Sequence, residues 1–209
     1  MKDAEAIDHV EKLLQYGLKN FRNALKKYTP YGLEKNGKYN KYIPERCLTT
    51  YFAHSLIKHK FCVFNEQDYC RHGKGDCGKL DLLAINFRSG IQIFVEAKGN
   101  LEGRYNEVSA DIDRMQNFCL KNLPRCDTAL KHINIVITTN WWYKQLSEWW
   151  TNEDEYPKTV RNNGQRTGAG WPVLKKQLLK SKRDLVSLNK YNEENLDALY
   201  AIFTRKSIV

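Results

Sequence analysis

Hydrophobic positions along the chain follow two periods. Ile7, Val10, Leu13, Leu14, Leu18, Phe21 and Leu25 recur at spacings of three, four and seven with charge between them, which predicts an amphipathic helix over 3–28. A stripe of that kind suits a core or a dimer face and carries no chemistry of its own. A second helix is predicted from Pro44, a residue favoured in the first helical position. Glu45 follows in its first turn, where a carboxylate suits the helix dipole, and Leu48, Phe52, Ser55 and Leu56 form the inner face. Helical spacing returns over 107–122 on Val108, Ile112, Met115 and Phe118 or Cys119. A basic helix is predicted over 173–185, with Leu174, Leu178 and Leu185 inward and Lys175, Lys176, Lys180, Lys182 and Arg183 outside.

Elsewhere the period is two. Residues 61–64 predict a short strand, 80–87 and 91–97 a hairpin turning at Arg88-Ser89-Gly90, and 133–138 a strand rich in β-branched residues. Between them 28–42, 67–78 and 99–106 read as loops, and 151–171 as an exposed glycine-rich insertion. The tail at 195–205 fits a helix or a strand equally. The order α, α, β, β, β, α, β predicts an α/β fold with a mixed central sheet flanked by helices. One domain is expected overall: an N-terminal helix and basic loop (1–43), a core (44–140), and a Trp-rich insertion with a basic helical region packed on that core (141–209).

Charge changes the picture more than composition does. The formal net charge is +10, which points to a polyanionic partner, nucleic acid ahead of an anionic membrane surface. No apolar run is long enough to span a bilayer and the N-terminus has no apolar signal segment, so a cytoplasmic protein without a membrane partner is expected. The six cysteines form no Cys-x-x-Cys. Cys70, His72 and Cys77 cluster loosely, but the spacing matches none of the common zinc patterns and free thiols are expected. Tryptophans 141, 142, 149 and 150 suit base stacking or, more commonly, packing of a short helix onto the sheet.

Three ionisable residues interrupt the apolar hairpin: Asp81, Glu96 and Lys98. Glu96 and Lys98 are two apart on an extended strand and share a side. Asp81 precedes Glu96 by 15 residues, which in a hairpin of this length returns it beside Glu96. Burying such groups costs several kcal/mol unless they are paired or bind a metal. One reading is a structural ion pair of Lys98 with Glu96 or Asp81. The other is a divalent-cation site, in which carboxylates hold Mg²⁺ together with waters and substrate phosphate and the lysine sits beside the attacking water.

The arrangement of Glu45 on a helix, Asp81 on a strand, Glu96-Ala97-Lys98 on the next, then a helix and a strand, resembles the PD-(D/E)xK, or restriction-endonuclease-like, nuclease superfamily. The resemblance covers about residues 44–140 and departs in having Leu80 where proline is usual before the aspartate. It implies a metal-dependent nuclease, an endonuclease acting on DNA ahead of RNA and leaving 5′-phosphate and 3′-hydroxyl ends. It further implies that Asp81, Glu96 and the Ala97 backbone carbonyl ligate Mg²⁺ or Mn²⁺, that Glu45 binds a second metal directly or through water, and that Lys98 orients the attacking water. The rival expectations are a non-cleaving nucleic-acid-binding module and a structural subunit of a larger assembly on the same fold. For that assembly the 3–28 helix and the 141–171 segment are candidate contact surfaces.

Overall fold

The computed structural model describes residues 2–32, 34–35, 38–39, 45–71, 77–119, 130–141, 144–152, 170–191 and 194–204. Pro44, His72, Cys126, Trp142 and nearly all of the expected insertion at 151–171 lie outside these residues. The elements in chain order are helix α1 (Asp3–Gly32), a two-stranded ribbon β1 (Glu34–Lys35) and β2 (Lys38–Tyr39), helix α2 (Glu45–Lys58), strands β3 (Cys62–Arg71), β4 (Cys77–Asn86) and β5 (Ile91–Asn100), helix α3 (Leu101–Asn117), strands β6 (Phe118–Cys119) and β7 (Lys131–Trp141), helices α4 (Lys144–Thr151) and α5 (Gly170–Leu178), and strands β8 (Lys182–Tyr191) and β9 (Glu194–Thr204).

Apart from the ribbon, the strands form one mixed sheet, ordered β6-β3-β4-β5-β7-β9-β8. Six of its strands are long, and β6 adds two residues at one edge. β5 and β7 pair in parallel and every other pairing is antiparallel. A parallel pair needs a long crossover, and α3 is that crossover. Helices cover both faces. α1 and α2 bury Leu14, Leu18, Leu48 and Phe52 against Ile91, Ile93, Val95 and Ala97. α3, α4 and α5 bury Val108, Ile112, Trp150 and Leu174 against Leu83, Phe94 and Val136 on the other side. The alternation in β5 thus sorts its side chains between two cores, not between core and water.

The structure corrects several expected boundaries. Residues 67–71 and 77–78 continue β3 and β4 and do not form a loop. The expected loop at 99–106 is the end of β5 and the first turns of α3. The expected basic helix stops at Leu178, and Lys182, Arg183 and Leu185 belong to β8. The tail is strand β9. Trp149 and Trp150 are buried in the second core, Trp150 with its Nε1 donating to the Tyr200 carbonyl at 2.9 Å, so these two pack and do not face a ligand. Cys47 and Cys62 are free, and the backbone register sets Cys70 opposite Cys77 on one side and Cys119 on the other. Among the described residues no helix is long and apolar enough to cross a membrane.

α1 is fixed to the far edge of the sheet by charge as well as by apolar contact. Lys182 of β8 lies 2.6 Å from both Asp8 and Glu11. The buried Tyr200 hydroxyl donates to Glu11 and accepts from Gln15, and burial leads in raising its pKa. Against α2 the contact is closer. Ser55 Oγ donates to the Leu13 carbonyl at 2.7 Å, and a Cβ placed on Gly17 would stand 2.8 Å from the Tyr51 carbonyl oxygen and 2.9 Å from Phe52 Cα. Helix propensity alone favours alanine over glycine by about 1 kcal/mol. Because the obstructing atoms are backbone, Gly17→Ala is expected to destabilise the protein, by about 1–3 kcal/mol. A urea denaturation midpoint that stays put or rises would show that α1 and α2 do not approach this closely.

Candidate functional site

The sheet opens at one level across three strands. The β3–β4 register pairs Asn65 with Leu82 and Gln67 with Leu80 but skips the Glu66–Asp81 pair, and Glu66 has a left-handed backbone (φ 52°). The β4–β5 ladder ends at Leu82–Val95, one step before Asp81 would meet Glu96. β5 runs on beside β7 through Lys98, and a register shift then passes over Gly99. Strand β4 therefore separates from β5 where the charged residues stand.

Into this opening Asp81 turns its carboxylate. Its Oδ2 accepts the Ala97 backbone N–H at 2.7 Å, a bond that stands where a ladder partner would have been. Glu96 is 3% exposed and its pKa is pushed up to about 8. Burial is the largest cause, followed by the Asp81 charge, while the Lys98 and Arg114 charges pull the other way and a hydrogen bond with Asp81 adds to the rise. Two carboxylates in contact, one of them deeply buried, cannot both ionise cheaply without a cation.

Lys98 is paired, but with neither carboxylate expected for it. Its Nζ is 3.2 Å from Oδ2 of Asp111, a fully buried residue of α3, and Arg114 is the second ion-pair partner of that carboxylate. Asp111 and Arg114 are not among the residues expected at the site, although the sequence carries a signal for the aspartate. Val108, Asp111, Ile112 and Met115 have the spacing of one helical face, so an aspartate stood on an apolar stripe.

Glu45 reaches the same strand end from α2. Its Oε1 accepts the Gly99 N–H at 3.1 Å and Arg104 Nη1 at 2.6 Å. The Gly99 carbonyl accepts Thr138 Oγ1 at 2.6 Å, so both groups of this off-ladder peptide are satisfied. Arg104 sits at a break in α3 (φ −132°, ψ 18°) and also lies 3.6 Å from Glu107. The carboxylate expected to bind a second metal therefore already carries a guanidinium on one oxygen, from a residue in the stretch 99–106 expected to be a loop.

The cations of the expected basic helix are divided among α5, the turn after it and β8. Lys182 is engaged by Asp8 and Glu11 and lies with Arg183 on β8, while Lys176 and Lys180 are exposed in and after α5.

Among the described residues no three His, Cys, Asp or Glu side chains gather into a metal-binding group. Two carboxylates side by side have the chemistry of a hard-cation ligand set, as for an Mg²⁺ that keeps most of its waters. No protein-family model, curated protein or solved structure matches this chain.

The raised Glu96 pKa has a consequence for stability in metal-free buffer. Between its ordinary value of 4.5 and about 8, the folded protein holds a proton that the unfolded chain has released. The Glu96 contribution therefore falls as pH rises through that window and levels off above it. Glu96→Gln, which cannot ionise, is expected to match wild type near pH 4.5 and to be a few kcal/mol more stable at pH 8. Urea denaturation across this range with EDTA present checks it, and parallel curves for the two proteins would contradict it.

Proposed function

We propose that the protein is a metal-dependent nuclease with a restriction-endonuclease-like core, hydrolysing phosphodiester bonds of nucleic acid, DNA ahead of RNA. The observation that carries this reading is the contact of Asp81 and Glu96 at the point where β4 leaves β5, with the Glu96 pKa raised by burial and by its neighbour. A carboxylate pair of that kind is a poor structural device and a good cation site.

On this reading Asp81 and Glu96 would hold the cation, with the Ala97 carbonyl as a further oxygen donor. The chemistry supplied there would be a more acidic bound water and positive charge against the phosphoryl oxygens. Lys98 positions the attacking water and offsets the charge that grows on the phosphate as the bond to the leaving oxygen breaks. Asp111 fixes the ammonium, 3.2 Å away, so that Lys98 enters the reaction already placed. The net positive charge of the chain (+10) supports a polyanionic substrate.

One observation favours a second reading. Lys98 is ion-paired with a buried aspartate, as it would be in a non-cleaving binding module or structural subunit on the same fold. The experiment that separates the two is incubation of purified protein with supercoiled plasmid, linear duplex, single strands and RNA, with and without Mg²⁺ or Mn²⁺. Cleavage only with metal is expected; salt-dependent binding without cleavage would support the module.

Two variants sharpen the test. Glu96→Ala is expected to lose cleavage and metal binding together, with little rescue by Mn²⁺. Lys98→Ala is expected to keep both metal and nucleic-acid binding and to cleave about a hundredfold slower. Because it leaves Asp111 with Arg114 alone, Lys98→Ala should also lose roughly 1–3 kcal/mol of stability. Wild-type cleavage by a well-folded Glu96→Ala protein would end this assignment of the site.

A further inference from the structure

The cation requirement of the site is met on one side by a residue of the chain itself. Glu45 stands where a second metal ligand is expected, yet its Oε1 is occupied by Arg104 Nη1 at 2.6 Å and by the Gly99 N–H at 3.1 Å. An ion bound at that oxygen would have to displace a guanidinium that cannot be deprotonated. We propose that Arg104, in place of a second divalent cation, supplies the second positive charge of the site and binds a non-bridging oxygen of the phosphodiester.

Three features support that role. Arg104 is held at the end of the strand that carries Glu96 and Lys98, because its partner Glu45 also binds the Gly99 peptide next to Lys98. Its contacts to Glu45 and Glu107 both use Nη1, which leaves the other edge of the guanidinium, Nε and Nη2, uncommitted among the described residues. The side chain is 38% exposed, so phosphate can reach it. An arginine edge offers two parallel donors to two phosphate oxygens. Glu45 and Glu107 act as positioning residues that keep the guanidinium in place before substrate arrives.

This inference rests on the nuclease reading, and its test separates the two. Mn²⁺ is titrated into the full chain by electron paramagnetic resonance for wild type and Glu45→Gln. Cleavage of a duplex DNA is measured for wild type, Arg104→Gln and Arg104→Lys, with folding checked by circular dichroism. One bound ion is expected in both wild type and Glu45→Gln. Arg104→Gln is expected to keep Mn²⁺ binding and lose about a hundredfold in kcat with a smaller change in KM, and Arg104→Lys to recover part of the loss. Two ions in wild type falling to one in Glu45→Gln would overturn the proposal, as would wild-type cleavage by Arg104→Gln. Should Arg104→Gln fail to fold, the ion count of Glu45→Gln and the rate of Arg104→Lys still decide. In each of those failures wild type goes on binding Mn²⁺ and cleaving, whereas a wild type that does neither would refute the nuclease reading and the role of Arg104 with it.

Discussion

A carboxylate at 3% exposure with a second carboxylate against it is the constraint on which this arrangement turns. Glu96 lies on β5, in the middle of the sheet order, where both faces are covered by helices. Continuing the β4–β5 ladder one step further would have set Asp81 squarely beside it. The sheet instead opens, with β3 kinked at Glu66 and β4 leaving the ladder after Leu82. Asp81 then spends one oxygen on the Ala97 N–H, which keeps it close to Glu96 without a backbone pairing. A fold selected for stability alone gains nothing from this, since an apolar pair at the same positions would continue both ladder and core.

The surrounding charges make the same point by contrast. At this end of β5 the carboxylates of Asp111 and Glu45 each have a cation of their own, Lys98 with Arg114 and Arg104 respectively. Glu96 feels Lys98 and Arg114 only at a distance, and these do not offset burial and Asp81. Among the described residues, the pair with no ion-pair partner of its own is the pair that the nuclease reading assigns to a cation. On the proposed nuclease reading, the exogenous ion belongs to Asp81 and Glu96.

How much of this was legible in the chain differs from place to place. The helical faces of α1 and α2 and the hairpin of β4 and β5 follow from spacing, because apolar periodicity reports burial directly. The approach of Asp81 to Glu96 follows from turn length alone. Strand β3 beyond Phe64 was not legible, since Asn65, Glu66, Gln67 and Asp68 are polar residues near the edge of the sheet and read as a loop. The start of α3 was hidden by Gly99 and Gly103, although Leu101, Tyr105 and Val108 already keep a helical spacing. β8 was mistaken for helix because Leu174, Leu178 and Leu185 happen to fall four and seven apart, while the alternation of the buried Val186 and Leu188 was too short to outweigh them. The partners of Lys98 and Glu45 lie in a crossover helix, and only the tertiary fold brings Asp111 and Arg104 to them.

The most direct test is to locate the ion. Crystals grown with Mn²⁺ and measured near its absorption edge give an anomalous map that does not depend on any assay of activity. A single peak is expected within about 2.0–2.3 Å of a carboxylate oxygen of both Asp81 and Glu96. Its absence in crystals of the Glu96→Gln variant grown the same way would fix the assignment. No peak at the carboxylate pair, or a peak on Glu45 with Arg104 displaced, would contradict the account.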